Sequence, residues 1–295
     1  MLDTIVDLLR EHAVVLLRVF YLAASALILF INAVPPLNRR FLSYGARDHH
    51  SSALPGGAGK PQRLDVSSAE KPQAGSLCDQ LLDYLATFRV PHRFFFHFYL
   101  VSLMSQVLWQ RYGASHIINV SQGVQVAWVH MLFQGLRRLA ESLIFMSKSK
   151  STMWFGHYVL GLLFYLTVTV AIWIEEPTPP MREQLLSLSV LVCQGLQFSF
   201  HEHLHHLRQE GTYQIPKFRF SSLLCPHYTC EVLIYLHLSI LAAPPGRLVN
   251  FTLLTATLMV GVNLAVTASG TKLWYEQRFG VDSVRGSKRM VPGLW

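Results

Sequence analysis

Apolar runs approaching the roughly 20 residues needed to cross a bilayer recur seven times, over about 11–35, 92–110, 117–142, 153–175, 185–206, 229–245 and 248–275. Within them hydrophobic residues are too continuous for the period-2 alternation of a membrane barrel, so the runs are predicted as helices. The first has no small-residue cleavage site behind it and leads into Pro35-Pro36, the pattern of a retained helix rather than a signal peptide. The expected fold is all-α: a polytopic membrane protein, one integral domain over residues 1–295, built as a bundle of seven transmembrane helices. Between the first two runs, residues 46–78 carry Ser51-Ser52, Pro55-Gly56-Gly57 and Gly59-Lys60-Pro61 with little apolar content to bury. That composition reads as a flexible insertion. No internal repeat is visible.

Composition sharpens this picture. With 51% hydrophobic and 14% charged residues in 295, an ordinary soluble protein is excluded. The net charge of +8 would suggest nucleic acid in a soluble domain, but in a membrane protein it reflects cytoplasmic loops, so no nucleic-acid partner is expected. With seven spans, most of the 25 Lys and Arg residues fall after the first, third, fifth and last spans, among them Arg39, Arg40, Arg137, Arg138, Arg208, Arg285 and Lys288. The other side offers Arg10, Arg111, Arg182 and Arg247. The positive-inside rule then predicts a lumenal N-terminus, a cytosolic C-terminus and a cytosolic 46–78 insertion. The sequons at Asn119 and Asn250 fall on the lumenal side, too close to a span for glycosylation to be expected. Four cysteines, Cys78, Cys193, Cys225 and Cys230, are too few and scattered for a disulfide framework.

Ionisable residues inside spans are costly and mark function by default; here they gather toward the cytosolic ends. Span 5 closes with His201-Glu202-His203-Leu204-His205-His206-Leu207-Arg208, which puts His201, His205 and Arg208 on one helix face. Three readings follow. His201-x3-His205-His206 has the spacing of a histidine box in a membrane di-iron desaturase or hydroxylase, yet the remaining histidines do not repeat it. The run could also be a polar helix end at the membrane surface. Cys225, His227 and Cys230 lack a partner set for zinc, and no metal is expected.

The third reading comes from extending the run. His201, Leu204, Leu207 and Arg208, then Tyr213-x-Ile215-Pro216, then Pro226-His227-Tyr228-x2-Glu231, then Asn263, Trp274-Tyr275, Phe279 and Pro292 together resemble the C-terminal pattern of the steroid 5α-reductase family. Val90-Pro91-His92-Arg93-Phe94-Phe95-Phe96-His97-Phe98-Tyr99, Leu136-Arg137-Arg138-Leu139-Ala140-Glu141 and Tyr44-Gly45 are similar to its polyprenal reductase branch. Three places depart from the family: Lys272 stands where a histidine is usual, Ala46 where a lysine follows Tyr-Gly, and the stretch before Pro292 is one residue longer.

The resemblance implies an endoplasmic-reticulum enzyme that uses NADPH to reduce the α-isoprene double bond of polyprenal, on the route to dolichol and protein N-glycosylation, with a long isoprenoid and the bilayer as partners. It implies a cofactor-binding region over 185–295 holding His201, Arg208, Tyr213, His227, Glu231, Asn263 and Tyr275, with Tyr44, Arg137 and Arg138 as further candidates. Arg285 and Lys288, with Arg289, are candidates to replace the missing phosphate-binding cation. For polarising the carbonyl, the chain offers His97, Tyr99 and Glu141. The alternatives are a 3-oxo-steroid 4-ene or enoyl-thioester reductase of the same superfamily, a catalytically inactive membrane scaffold, and the di-iron enzyme.

Overall fold

A computed structural model describes residues 2–42, 76–112, 122–145, 151–175, 183–209, 214–218 and 222–293. Among these, seven long helices fall on the seven apolar runs: α1 (Leu2–Ala33), α4 (Phe96–Tyr112), α5 (Gln122–Ile144), α6 (Phe155–Ile174), α7 (Glu183–Gln209), α8 (Pro226–Leu241) and α9 (Phe251–Phe279). Three of them, over Glu11–Ala33, Phe155–Ile174 and Phe251–Phe279, are each long and apolar enough to cross a membrane by themselves. Large apolar side chains face outward on several helices, such as Leu16 on α1, Met104 on α4, Phe133 on α5 and Leu188 on α7. An apolar exterior of this extent marks a membrane protein.

The helix ends follow local chemistry. Pro35 and Pro36 stop α1, because the residue before a proline leaves the helical region, and Val34 is extended. The short α2 (Pro35–Leu37) and a π-turn over Asn38–Leu42 carry the chain away. Pro226 opens α8 at its first turn, where its missing N–H is not needed. Asn250 caps α9, its side-chain oxygen accepting from Leu253 N at 2.8 Å, and Gly280 ends that helix at φ +88°, a backbone conformation natural to glycine.

The extensive contacts are α7 along α8, α1 along α9 and α8 along α9. Tyr21, Met131, Ile172, Ile234, Leu238 and Leu253 meet in the main core. Buried Gln106 and Gln194 bond to the Met131 and His130 carbonyls across helices, which ties spans together where water is absent. At the end opposite the cavity described below, Glu175 closes α6 onto α9. It accepts from Arg18 Nη2 at 2.7 Å, Thr252 N at 2.8 Å and Thr252 Oγ1 at 2.5 Å, an acid at a helix N-terminus. Asn250 is fully buried there, and its Nδ2 donates to the Ala171 carbonyl at 3.0 Å; the Asn250 sequon is closed by packing. Asn119 lies outside the described residues.

Two features were not predicted. Residues 76–78, assigned by composition to the insertion, belong to an amphipathic helix: Ser76 caps α3 (Leu77–Thr87). A two-stranded antiparallel sheet then pairs β1 (Arg89–Pro91) with β2 (Thr152–Trp154). Arg40 grips α3 through Asp83 at 2.6 Å and Asp79 at 3.2 Å. The guanidinium bonded to it holds the Asp83 carboxyl below its usual range.

Candidate active site

The described residues enclose a cavity of about 1000 Å³ at one end of the bundle. It receives the C-terminal ends of α1, α5, α7 and α9 and the N-terminal ends of α4, α6 and α8.

The polar heart of the cavity is written on α5. Gln134, Arg137, Arg138 and Glu141 recur at i, i+3, i+4 and i+7, the spacing that puts them on one helical face. Glu141, 3% exposed, accepts from Arg137 Nη1 and from Arg138 Nη1 at 2.5 Å. Arg138 Nη2 donates to the Tyr99 hydroxyl at 2.7 Å, with its guanidinium 5.0 Å from the centre of the Tyr99 ring. His201 Nδ1 lies 2.7 Å from Glu141 Oε2 and 2.9 Å from Arg138 Nη1. One nitrogen cannot donate to the first and accept from the second at once. We assign the proton to Nδ1, facing the nearer carboxylate, which leaves Nε2 as an acceptor.

A second network is joined to the first by Arg137. Its Nη2 donates to Gln134 Oε1 at 2.8 Å and to Gln197 Oε1. Gln197 Nε2 donates to Glu231 Oε2, and Gln134 Nε2 reaches the same oxygen at 3.3 Å. Two guanidinium groups thus stand against two carboxylates, so the cluster adds no net charge to the bundle interior. Compensation of this kind is what allows buried charge to persist. Among the described residues, His227 Nδ1 in the wall has no hydrogen-bond partner, and the buried Tyr235 hydroxyl stands on the same helix. One side of the wall is apolar, formed by Phe98, Leu160, Phe164, Met259, Val260 and Leu264; the rim carries Arg39, Arg93, Arg208, Lys272 and Arg289.

The structure gathers Tyr99, Arg138, Glu141, His201, Arg208, His227, Glu231 and Asn263 into this one lining. Arg137 stands directly behind it. His97 does not line the cavity, and its Nδ1 pairs with the Tyr158 hydroxyl at 2.9 Å. Tyr275 packs against the small cluster of Leu224, Ala268, Val284 and Met290, while its neighbour Trp274 faces the cavity. Arg285 is on the surface near Asp282, 82% exposed, and Lys288 is exposed. Arg289 is the cation of that stretch on the rim. Tyr44 and Tyr213 lie outside the described residues. Sequence reading missed Gln134, Gln197, Tyr165 and Tyr235. For the two glutamines the signal was weak: each lies a helical turn from a site candidate inside an apolar run, where an amide reads equally well as glue between helices.

The tail is fixed on the rim by its backbone. Leu224 N and Cys225 N donate to the Lys288 and Arg289 carbonyls at 2.8 and 2.9 Å, and Thr229 Oγ1 donates to the Met290 carbonyl at 2.5 Å. Lys272, in the place of the family's usual histidine, donates from Nζ to the Ser287 carbonyl at 2.9 Å. Among the described residues, no group of three His, Cys, Asp or Glu side chains is arranged to hold a metal ion. His205 stacks on Phe145 instead, ring centres 4.8 Å apart.

A helical membrane protein with a polar, cation-rimmed chamber at one end of its bundle is the class that fold and site define. The family model described as 3-oxo-5-alpha-steroid 4-dehydrogenase matches residues 143–295, so the chain belongs to that family of oxidoreductases, the steroid 5α-reductases. It is similar to the polyprenal reductase of Saccharomyces cerevisiae, 27% identical over 223 residues, covering 74% of this chain and 81% of the yeast protein. It is also 30% identical over 173 residues to an uncharacterised protein of Schizosaccharomyces pombe, covering 52% of this chain and 62% of that one.

Proposed function

We propose that this chain reduces the α-isoprene double bond of a polyprenal with NADPH, in the endoplasmic-reticulum membrane, on the route to dolichol. The observation that carries the reading is the cavity's two-sided character: an apolar wall and a buried charged cluster meet in one space that a basic rim surrounds.

A dinucleotide fits this donor set. About 1000 Å³ is at the upper end of the usual range for cofactor pockets, roughly 300–1,000 Å³. Arg39, Arg93, Arg208, Lys272 and Arg289 would hold its phosphates, since cations and backbone donors are what phosphate oxygens need. Asn263, Glu231, His227 Nδ1 and the Tyr235 hydroxyl would hold its polar ring groups. The chemistry it supplies when bound is hydride donation to the carbon β to a conjugated carbonyl.

The chain's own residues do the rest. The Tyr99 hydroxyl accepts from Arg138, so its own proton is left to donate to the aldehyde oxygen, where charge develops. Arg138 and Glu141 fix that hydroxyl and the His201 ring. The apolar wall keeps water from the isoprene unit and leaves the long tail in the bilayer. Seven spans, a lumenal N-terminus and a cytosolic C-terminus complete the proposal. Its support is that the seven long helices send alternate ends to the cavity, the end that carries the basic rim.

The test is an assay of membranes holding the protein with polyprenal and NADPH. Wild type is expected to turn over polyprenal and to leave a 3-oxo-4-ene steroid nearly untouched. Tyr99→Phe and Glu231→Gln are each expected to lose about 100-fold or more, the range for removing one positioned donor or acid–base group. A preference for the steroid, or full rates in both variants, would overturn the assignment.

A further inference from the structure

The apolar stripe of α3 faces away from the protein. Leu77, Leu81, Tyr84, Leu85 and Phe88 are 84%, 56%, 61%, 39% and 46% exposed, and they recur at i, i+4, i+7, i+8 and i+11, one helical face. The opposite side faces the protein through Asp79, Leu82 and Ala86, which are less exposed. That orientation is fixed from two sides. Arg40 holds Asp79 and Asp83, and Trp154 Nε1 donates to the Leu85 carbonyl at 2.9 Å. The stripe therefore cannot roll inward to bury itself.

What covers it is indicated by what it joins. Phe155 N donates to the Phe88 carbonyl at 2.8 Å, and Phe155 is itself 47% exposed at the start of α6. From Phe155 the outward apolar face continues along α6 through Leu163 and Leu166, 43% and 47% exposed, on a helix apolar enough to cross the membrane. The stripe is thus an extension of a lipid-facing surface. It lies at the cavity end of the bundle, where Met153 and His157 beside it line the cavity. Tyr84 is of the kind that settles at headgroup depth, and Leu and Phe, as at Leu77, Leu81, Leu85 and Phe88, form the buried face of interfacial helices.

We propose that α3 is an interfacial helix whose Leu77–Phe88 stripe is embedded in the lipid leaflet at the cavity end, with the lipid acyl boundary as its partner. This surface is separate from the chamber and stands whether or not the substrate is polyprenal. The embedded face is expected about 5–10 Å below the headgroup–acyl boundary, the usual depth of such helices.

Cys78 supplies the probe, since it lies on α3 and is exposed while Cys193, Cys225 and Cys230 are buried. The full chain would be labelled there with an environment-sensitive fluorophore and reconstituted into phosphatidylcholine vesicles at a low protein-to-lipid ratio, with Cys78→Ser giving the background. Lipids carrying a nitroxide near the headgroup are expected to quench the label severalfold more than lipids carrying it at the chain end, and aqueous iodide to quench weakly. Leu81→Asp together with Leu85→Asp is expected to raise iodide quenching severalfold, while Gln80→Asp on the flank leaves it unchanged. Strong iodide quenching without nitroxide quenching would place the stripe in water. Shielding from both would mean that protein covers it, and stronger quenching from the chain end would mean a buried spanning position. Any of these results overturns the proposal.

Discussion

Gly161 on α6 makes room for an aromatic ring. A Cβ there would come 2.7 Å from the Phe98 ring, and that ring is flanked by Tyr158 and Tyr165, with centres 5.6 and 6.0 Å away. Phe98 has little freedom to move aside, so Gly161→Ala is expected to destabilise the protein by about 1–3 kcal/mol through overpacking and to narrow the apolar wall. Gly195 on α7 is the internal control. Nothing lies within 4 Å of its Cβ position, and Gly195→Ala should be neutral or gain up to about 1 kcal/mol from helix propensity. Thermal unfolding of both variants in one detergent would check this; equal midpoints would refute the packing argument. At this scale, charged residues were easier to read from sequence than neutral ones. Arg137, Arg138 and Glu141 stand out inside an apolar run because charge there is expensive. Gln134 and Gln197 do not, because a glutamine satisfies the same pattern as ordinary glue between helices. Nor can sequence distinguish Trp274, which faces the cavity, from Tyr275, which packs behind it, since adjacent helical residues differ only in direction.

The N-terminus of α9 shows how an element can cancel a motif. Asn250 has the sequence context of a glycosylation acceptor, yet its amide oxygen caps Leu253 N and its amide nitrogen bonds to Ala171, while Thr252 is engaged by Glu175. The folded chain is expected to carry no sugar at Asn250. Glycosidase treatment should leave its gel mobility unchanged, and any Asn250-dependent shift would contradict the packing. Asn250→Ala should instead lose about 1 kcal/mol as a missing cap, with a further loss from the orphaned Ala171 carbonyl. Long helices were legible because twenty apolar residues have few alternatives. The pair β1 and β2 was not, since three-residue strands show no period, and α3 was hidden because its first turn shares the composition of the insertion before it.

For the molecule as a whole, the back-and-forth course of the chain brings alternate helix ends to one chamber, which is why residues from Asn32 to Arg289 meet there. Sequence order carried part of this: once the runs are read as crossing back and forth, the basic segments fall together. It could not tell which cation of the final stretch faces inward, because that depends on the backbone pairing of residues 288–289 with 224–225. That pairing makes the segment after α9 a part of the cavity's rim. A premature stop just ahead of Arg285 would leave every span intact, but would strip Arg289 from the rim and the carbonyl that Lys272 grips. The shortened protein is expected to insert in the membrane and to lose at least tenfold in NADPH affinity, one charge-assisted contact being worth about 1.5–3 kcal/mol. Nucleotide titration of purified full-length and shortened protein would decide it. In inherited or engineered alleles, a frameshift falling just after the last long helix would then weaken nucleotide binding while sparing the helical bundle.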